Sequence, residues 1–285
     1  MDNKDVLVTV GVALYNHEKY IVKCLESIVN QTYKNIELIV IDDGSPDNSY
    51  KMAKDYLESQ DINLNFIIKT RKNIGMCNTL NEITHMSNGR YISFIGSDDY
   101  WDKDKIQDQV EFLEKNSDLV LVHSNSYIVD NDNNITSQID FSTKKNSGNI
   151  FKEIILGTGG INTPSHLYRM SVYDTIGYYD PDLKFEDTDF WLRLTKHFKV
   201  GYINKFHSYY RWHGENLSDH SNKLKFYNDE IIKIFKKNID DEELKKYAVS
   251  KMYRKSFLMA LRNFKFGYVV KNLYKYIKCK FFNVC

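Results

Sequence analysis

The stretch IELIVIDDGS, residues 36–45, is a short apolar run that ends abruptly in Asp42-Asp43-Gly44-Ser45. A second stretch, YISFIGSDD at residues 91–99, repeats this pattern and ends in Asp98-Asp99. Short apolar runs rich in Ile and Val are typical of strands buried in a parallel sheet. Polar residues that follow such strands lie where open α/β sheets bind their ligands. The two stretches therefore predict parallel strands with a ligand site at one edge of the sheet.

The chain around these stretches alternates between apolar runs and segments with helical spacing. We predict strands at residues 6–14, 36–41, 65–68 and 91–95, and helices at 20–28, 50–57, 78–86 and 102–113. Alternation with short connections predicts an α/β fold of Rossmann-like type, with a mostly parallel central sheet and helices on both faces.

The second half of the chain gives weaker patterns. We predict a strand at 119–122, a polar loop or hairpin at 131–149, a helix at 190–198, and further helices from residue 227 onward. The chain is therefore expected to form one α/β domain over 1–220 and a helical C-terminal extension over 221–285.

Charge is unevenly distributed along the chain, although the net charge is only +1. No acidic residue follows Glu243, whereas eleven basic residues do, so the preceding 243 residues carry a net charge of −10. A basic, aromatic-rich tail can dock on an anionic membrane surface, or it can pack as helices with its lysines in solvent. We favour peripheral membrane contact through residues 251–285. Nucleic-acid binding is not expected because the body is acidic and carries no nucleic-acid motif.

Composition excludes several classes of protein. Apolar residues make up 42% of the chain, which is too many for a disordered protein, and no apolar run approaches the roughly 18 residues of a membrane-spanning helix. The four cysteines are widely spaced without a CxxC pair, so neither a disulfide framework nor a zinc ribbon is expected. Free thiols in a reducing cytoplasm are the expectation.

The two aspartate pairs each have a chemical and a structural explanation. Asp42 and Asp43 can accept hydrogen bonds from a ribose hydroxyl or a base N–H, but an Asp-Gly-Ser sequence is also an ordinary turn. The adjacent carboxylates of Asp98 and Asp99 repel each other, so Mg²⁺ or Mn²⁺ is a natural compensation. A helix N-cap would explain one of these two aspartates but not both.

Two further positions carry weaker signals. Glu186-Asp187 precedes a predicted helix, and a carboxylate there can act as a general base, although acidic residues are also favourable at a helix N-terminus. His213 can be a metal ligand or a donor to phosphate, although a single histidine is more often structural.

Taken together, the segments from about Val6 to Ser218 resemble the inverting family-2 glycosyltransferases with the GT-A fold, of the kind that build bacterial surface polysaccharides. The matching pieces occur in the order expected of that family. They are Val8–Asn16, the Ser27, Gln31, Thr32, Tyr33 series, Ile41–Ser45, Asn73–Gly75 with Asn81, Gly89–Ile92 before Asp98-Asp99, Thr163–Ser165, Gly177 with Asp180, Glu186-Asp187 with Trp191–Arg193, and Tyr210–His213 with Asn216 and Ser218.

The resemblance implies a role for each matching residue. Asp187 would be the general base, with Glu186 beside it near the donor sugar or the acceptor. Asp98, Asp99 and His213 would hold the metal, Mn²⁺ or Mg²⁺. The nucleotide-sugar donor would be bound by Ala13, Tyr15, Asn16, Asp42, Asp43, Asn73, Gly75 and Asp98. Residues 1–115 would form the nucleotide-binding half of the domain, and residues 116–220 the acceptor half.

The implied activity is metal-dependent transfer of a hexose, with inversion, from a nucleoside-diphosphate sugar to a glycan or lipid-linked glycan acceptor. A UDP-sugar donor and a role in O-antigen, lipopolysaccharide or capsule synthesis at the inner face of the cytoplasmic membrane would follow. Gly96 departs from the family because many members have an aspartate there, and Ala13 replaces a frequent proline. Gly96 leaves open an alternative, a catalytically degenerate module that binds sugar nucleotides in a regulatory or subunit role. A nucleotidyltransferase is disfavoured, since no Gly-rich basic loop follows the first strand.

Overall fold

A computed structural model describes residues 6–59, 64–213, 224–262 and 266–282 of the protein. The chain divides into two compact units. The first unit comprises Met1–Pro181 and Leu194–His213, and the second comprises Asp182–Arg193 and Gly214–Cys285.

The described strands of the first unit all belong to one sheet. They are β1 (Val8–Leu14), β2 (Ile36–Asp42), β3 (Asn65–Thr70), β4 (Tyr91–Gly96), β5 (Tyr100–Trp101), β6 (Leu119–Val129), β7 (Ile135–Ile139), β8 (Leu167–Arg169) and β9 (Lys199–Arg211). The strand order is β3-β2-β1-β4-β8-β6-β9-β5, and β7 pairs with β6 outside this path. The long ladders β3-β2-β1-β4 and β6-β9 are parallel, whereas the short strand β8 is antiparallel to both of its neighbours.

The helices alternate with these strands in the first part of the chain. They are α1 (Ile21–Val29), α2 (Ser49–Ser59), α3 (Met76–Met86), α4 (Lys105–Lys115), α5 (Phe151–Leu156), α6 (Val172–Ile176) and α7 (Glu186–His197). Helix α3 packs on β1 and β2, and α4 packs on β6, β8 and β9. The predicted mostly parallel α/β sheet with its helices is confirmed. Within residues 131–149, predicted as a polar loop or hairpin, β7 pairs back on β6.

The core is built around the central strand β1. Val8, Val10, Val12 and Leu14 are fully buried, and so is Thr9 between them, as expected of a strand covered on both faces. Helix α1 adds four buried side chains at helical spacing, Ile21, Cys24, Leu25 and Ile28. Each such aliphatic side chain contributes about 1.5–3 kcal/mol by its removal from water. The apolar repeats visible in the sequence therefore account for the core that holds the polar edge in place.

A buried polar cluster links β4 to the second half of the sheet. The Lys105 ammonium lies 3.8 Å from the centre of the Trp101 ring and donates to Ser93 Oγ at 2.9 Å and to the His166 carbonyl at 3.0 Å. Burial lowers the pKa of Lys105 well below its usual range. Burial also lowers the pKa of His166 to about 3 and that of His123 to about 4. The two histidines are therefore neutral in the folded protein at physiological pH.

Among its described residues, the second unit contains the first part of α7 and the helices α8 (Leu224–Asn238), α9 (Glu242–Arg262) and α10 (Phe266–Phe282), of which α9 packs on α8 and α10. The predicted helical C-terminal extension is therefore present. Among the helices in the described part of the chain, none combines the length and the apolar character needed to cross a bilayer. Cys24 and Cys77 are buried free thiols, as predicted, whereas Cys279 is disulfide-bonded and corrects that prediction.

The predicted domain boundary at residue 220 lies outside the described residues. Residues 182–193 group with the C-terminal helices because Asp189, which is fully buried, is bound there. Its carboxylate accepts a hydrogen bond from Asn238 Nδ2 at 2.9 Å and pairs with Lys237 at 3.1 Å and with Arg193 at 2.8 Å. The predicted nucleotide-binding and acceptor halves meet at residue 115, and β8 joins the strands on either side of that position, β4 and β6.

Candidate active site

The candidate site lies at the carboxyl ends of the parallel strands. In the register of β1 with its two neighbours, Ala13 lies opposite Gly96 of β4, and Leu14 lies opposite Asp42 of β2. The loops that follow the three strands therefore leave the sheet at the same edge. This juxtaposition follows from parallel pairing, and it brings together the segments that the sequence predicted to bind a ligand.

Asp42 shapes the turn after β2 from a buried position. Its carboxylate accepts hydrogen bonds from Thr70 Oγ1 at 2.6 Å and from the backbone N–H of Ser45 at 3.2 Å, and it also binds the Ser45 hydroxyl. Gly44 has φ +75°, and an added Cβ would lie 2.9 Å from both the Arg71 carbonyl oxygen and the Asn73 nitrogen. Only glycine fits this close approach without strain, so the turn rests on Asp42 and Gly44 together.

Asp43 forms an ion pair that sequence analysis did not predict. Its carboxylate pairs with Arg71 and accepts hydrogen bonds from the backbone N–H groups of Ile74 and Gly75, each at 2.9 Å. Arg71 Nε also binds Glu82 at 2.8 Å. Burial opposes the charge of Arg71, but Glu82 and Asp43 more than offset it and raise the pKa of Arg71. Asp43 thus organises the segment 71–75, in which Asn73 is exposed and Gly75 is half-buried.

The loop after β1 is tied to the loop after β2. Tyr15 is exposed, and Asn16 takes the left-handed conformation with φ 55°. The backbone N–H of Asn16 donates to Ser45 Oγ at 2.9 Å, and that of His17 donates to Ser49 Oγ at 2.8 Å. The predicted residues Tyr15 and Asn16 therefore lie beside the Asp42–Ser45 turn.

Asp98 lies between two histidines. Its Oδ2 is 2.9 Å from His213 Nε2, and its Oδ1 is 3.9 Å from His17 Nδ1. Burial opposes ionisation of Asp98, but the hydrogen bond with His213 and the proximity of His17 more than offset it, so the pKa of Asp98 is lowered. Asp98 is therefore an ionised carboxylate held in a largely buried position.

Asp99 has a different environment from Asp98. Its Oδ1 accepts a hydrogen bond from the backbone N–H of Arg211 at 2.8 Å, and its side chain is buried. Burial and the adjacent Asp98 carboxylate raise the pKa of Asp99 well above its usual range. The two aspartates therefore differ in their surroundings, which lower the pKa of Asp98 and raise that of Asp99.

One group of side chains in the described residues could hold a metal ion. His17, Asp98 and His213 each offer a ligand atom, and these atoms all lie within 4.8 Å of one another. One ionised carboxylate with two imidazoles fits a divalent cation such as Mn²⁺. Of the three predicted metal ligands, Asp98 and His213 belong to this group. Asp99 does not, because it binds the Arg211 backbone, and His17 stands in the group instead.

Gly96 leaves space for these carboxylates. A Cβ at this position would lie 2.8 Å from Asp98 Oδ1 and 3.0 Å from Asp99 Oδ2. A larger residue at position 96 would require both carboxylates to shift. The departure from the family at Gly96 is therefore accommodated by the positions of Asp98 and Asp99.

Glu186 and Asp187 belong to the second unit, at the first turn of α7. Burial and the neighbouring Asp187 raise the pKa of Glu186 to about 8, so Glu186 carries its proton at neutral pH. The Asp187 carboxylate accepts hydrogen bonds from the Thr188 backbone N–H at 2.6 Å and from the Thr188 hydroxyl at 3.2 Å. The pair therefore offers one acid and one carboxylate with different hydrogen-bonding roles.

The sheet and its polar edge are those of a glycosyltransferase with the GT-A fold. More particularly, the chain belongs to glycosyl transferase family 2, whose model matches residues 9–177, more than half of its length. The family and the fold predicted from the sequence are both confirmed.

Individual relatives extend this comparison. The chain is 31% identical over 227 residues to UDP-Glc:alpha-D-GlcNAc-diphosphoundecaprenol beta-1,3-glucosyltransferase WfaP of Escherichia coli, with 77% of this chain and 82% of WfaP covered. It is 26% identical to chondroitin synthase of Escherichia coli, over 86% of this chain but only 34% of the synthase.

Solved structures show the same fold at low sequence identity. S. aureus TarS 1-349 in complex with UDP-GlcNAc has a TM-score of 0.68 at 19% identity, covering 95% of this chain and 81% of TarS. The mannosyltransferase PcManGT from Pyrobaculum calidifontis in complex with GDP-Man and Mn2+ has a TM-score of 0.59 at 13% identity, covering 90% of this chain and 75% of that one.

Three residues of the candidate site were missed in the sequence. His17 and Arg71 follow the first and third strands, so their position after a strand was the available signal. Arg211 is fully buried, and its side chain binds the Asp98 carbonyl oxygen at 2.8 Å. Arg211 stands in the segment Tyr210–His213 that resembles the family, but that resemblance gave it no role of its own.

Proposed function

We propose that the protein transfers a hexose from a UDP-sugar, with inversion, to a hydroxyl group of a lipid-linked glycan during surface-polysaccharide assembly. WfaP, the relative at 31% identity, carries UDP-Glc and a GlcNAc-diphosphoundecaprenol in its name, and a structural neighbour holds UDP-GlcNAc. Both support a UDP-linked donor, and the WfaP name supports an acceptor on a polyprenyl diphosphate.

The observation that carries this proposal is the anionic Asp98 between two imidazoles, beside the Asp42–Ser45 turn at the carboxyl edge of the sheet. A nucleoside diphosphate needs a polar pocket for its base and ribose, with a positive charge beside its phosphates. The Asp42–Ser45 turn and the segment 71–75 offer backbone and side-chain groups for the base and the ribose. Asp98 and His213 would hold a divalent cation that supplies this positive charge.

When bound, such a cation would supply positive charge that stabilises the departing diphosphate. The remaining tasks belong to the residues of this chain. Gly44 and the Asp43-bound backbone of Ile74 and Gly75 shape the wall beside the nucleotide. Arg71, which pairs with Asp43, adds a cation to that segment.

In this proposal Asp187 and Glu186 share the acceptor chemistry. A carboxylate oxygen of Asp187 takes the proton from the acceptor hydroxyl as that oxygen attacks the anomeric carbon. Glu186 is protonated at neutral pH, so it is unsuited to act as a base. Its O–H can instead donate a hydrogen bond to the donor sugar or to the acceptor. A single displacement of this kind inverts the anomeric configuration.

The C-terminal helices supply the proposed contact with the membrane. Four exposed apolar side chains follow one another at helical spacing along α10, namely Val270, Leu273, Tyr274 and Ile277. Lys271, Lys275, Lys278 and Lys280 accompany them, and α10 carries no acidic residue. An apolar stripe flanked by lysines is typical of a helix that lies in the interface of an anionic membrane. This arrangement supports action on lipid-linked acceptors at the inner face of the cytoplasmic membrane.

The test is a transfer assay with a donor panel and a synthetic GlcNAc diphosphate lipid, in the presence of Mn²⁺. UDP-glucose, UDP-galactose, UDP-N-acetylhexosamines, GDP-mannose and dTDP-rhamnose form the panel. We expect one UDP-sugar to be consumed and the new linkage to be β by NMR when the donor is α-linked. Transfer from GDP-mannose or dTDP-rhamnose alone would contradict the donor assignment. Tight binding of a UDP-sugar without transfer to lipid-linked glycans or release of UDP would support the degenerate module.

A further inference from the structure

We propose that His17 is a third protein ligand of the divalent cation, so that the site is composed of two imidazoles and one carboxylate and prefers Mn²⁺ to Mg²⁺. This inference rests on the proposed function only in that both place a cation at Asp98. It concerns a residue of this chain that the sequence patterns did not single out as a ligand.

The first argument is the position of His17 relative to Asp98. The carboxylate presents Oδ2 to His213 Nε2 at 2.9 Å and Oδ1 to His17 Nδ1 at 3.9 Å. Each imidazole thus faces a different oxygen of the Asp98 carboxylate. Ligand atoms about 2.1 Å from a common ion lie roughly 3–3.5 Å apart. The ligand atoms of His17, Asp98 and His213 all lie within 4.8 Å of one another, so a movement of roughly an ångström would bring them to a common ion.

The second argument is that the His17 ring is held in place by its surroundings. Its Nδ1 lies 2.7 Å from Ser97 Oγ, and its backbone N–H donates to Ser49 Oγ at 2.8 Å. The ring packs edge-on against Tyr20 and against His213, at centroid distances of 6.0 Å and 5.8 Å. The backbone hydrogen bond and the ring contacts hold the imidazole beside Asp98, and a cation bound at Nδ1 would replace the hydrogen bond with Ser97.

The third argument is the chemistry of the set. Mg²⁺ demands oxygen ligands, whereas imidazole nitrogen suits the first-row transition metals. Gly96 offers no side-chain oxygen, and Asp99 is bound to the Arg211 backbone N–H. Within the described residues, the group therefore contains a single carboxylate and two nitrogen donors. A site with this composition favours Mn²⁺, Co²⁺ or Zn²⁺ over Mg²⁺.

The competing explanation is a purely structural cluster, in which His17 merely packs beside an Asp98–His213 pair. Spectroscopy separates the two because it counts bound nitrogens without requiring turnover. We would titrate the protein with Mn²⁺, following the free-ion signal by electron paramagnetic resonance, and then count ¹⁴N couplings by electron spin echo envelope modulation. Both are recorded with and without UDP.

We expect two coupled imidazole nitrogens in the wild-type protein and one in His17→Gln. We also expect His17→Gln to weaken Mn²⁺ binding by roughly tenfold or more, since loss of even an outer-shell partner costs about 10–100-fold. Mg²⁺ binding, measured by competition, should change less. His17→Asp restores an oxygen ligand, so it should shift the preference toward Mg²⁺. His85→Gln is the matched control, because His85 is exposed on α3 and contacts Tyr178.

The possible results are distinguishable. A single coupled nitrogen in the wild-type protein would overturn the role of His17, and this measurement does not depend on how any variant folds. Unchanged Mn²⁺ affinity in His17→Gln, with loss of binding in His213→Gln, would reject His17 but keep the proposed metal site. If the wild-type protein binds no Mn²⁺ even with UDP, then both His17 and metal-dependent transfer are rejected.

Discussion

Arg211 is joined to Asp99 through its backbone and to Asp98 through its side chain. Its N–H donates to Asp99 Oδ1 at 2.8 Å, and its Nε donates to the Asp98 carbonyl oxygen at 2.8 Å. The remaining guanidinium nitrogens bind the Asp130 carbonyl oxygen and Asn133 Oδ1, both at 2.6 Å. The end of β9 is thereby fixed to the acidic loop after β4, and His213 follows only two residues later.

Replacing Arg211 by lysine should destabilise the protein. A lysine cannot reach the three acceptors that the planar guanidinium joins, so we expect a loss of about 2–3 kcal/mol in the free energy of unfolding. Urea denaturation measures this loss. Arg90→Lys is the control, because Arg90 is exposed in its ion pair with Glu114 and should change stability by less than about 1 kcal/mol. Equal effects of the two variants would refute the anchoring role of Arg211.

The substitutions Asp187→Asn and Glu186→Gln should distinguish the catalytic roles of these two acidic residues. Loss of a general base should lower kcat by about 10²–10⁴-fold in Asp187→Asn while leaving the Kd for the donor unchanged. Glu186→Gln mimics the protonated side chain, so it should retain much more activity at pH 7. Wild-type activity should fall above about pH 8 as Glu186 ionises, and this decline should be absent in Glu186→Gln. A high-pH decline that survives this substitution would assign it to another group.

Stability should fall as the pH is lowered from about 6.5 toward 4. Buried His123 and His166 have lowered pKa values, about 4 and about 3, so the unfolded chain binds protons in this range while the folded protein does not. We expect a loss of about 2–3 kcal/mol between pH 6 and pH 5. Urea denaturation across this range measures the slope, and His123→Asn should reduce it by about half. His85→Gln should leave the slope unchanged, and a flat profile in the wild-type protein would disprove burial of neutral histidines.

Gly44→Ala should strain the turn after β2. The residue has φ +75°, and the new methyl group would contact the backbone of Arg71 and Asn73 at 2.9 Å. We expect a loss of about 1–3 kcal/mol in stability together with weaker binding of UDP, because the wall beside the nucleotide must shift. Calorimetry gives both quantities. Gly267→Ala, at an open position in α10, should be neutral or stabilising by up to about 1 kcal/mol.

The double substitution Leu273→Gln with Ile277→Gln should weaken binding to membranes. These residues form part of the exposed apolar stripe of α10, and each loses the burial that the interface would provide. We expect reduced co-sedimentation with liposomes containing anionic lipid, and unchanged transfer to a water-soluble acceptor. Ile135→Gln, which alters an exposed isoleucine on β7, is the control. Liposome binding that is equal in all three proteins would exclude α10 as the docking surface.

The strands and helices of the first 115 residues were predictable because burial on both faces leaves apolar runs, and β1, β2 and β4 are such runs. Strand β9 was not predictable, since it contains charged and polar residues such as Lys205 and His207 that bind Asp108. The grouping of residues 182–193 with the C-terminal helices involves the hydrogen bond from Asn238 to Asp189. A contact between positions 49 residues apart leaves no local pattern in the sequence.

Within the candidate site, the aspartates were visible because they follow apolar runs, whereas their partners were not. His17 and His213 meet at Asp98 only because parallel strands bring distant loops to one edge. Arg71 likewise forms its ion pair with Asp43, which lies 28 positions earlier in the chain, so the sequence around Arg71 does not reveal this contact. Residue type and spacing therefore indicated the chemistry. The different partners of Asp98, which contacts His213, and of Asp99, which binds the Arg211 backbone, are visible only in the three-dimensional structure.

Strand β8 has a consequence for the order in which the first unit assembles. It is only three residues long, yet in the described part of the chain it is the strand that joins β4 to β6. Because β8 follows both of these strands in the sequence, the two parallel blocks remain unconnected until Leu167–Arg169 is in place. Closing these long chain segments costs entropy before the new contacts compensate for it. The joining of the blocks by β8 is thus an expected slow step of folding, and because the second block also needs β9, a nascent chain must emerge beyond residue 211 before both blocks exist to be joined.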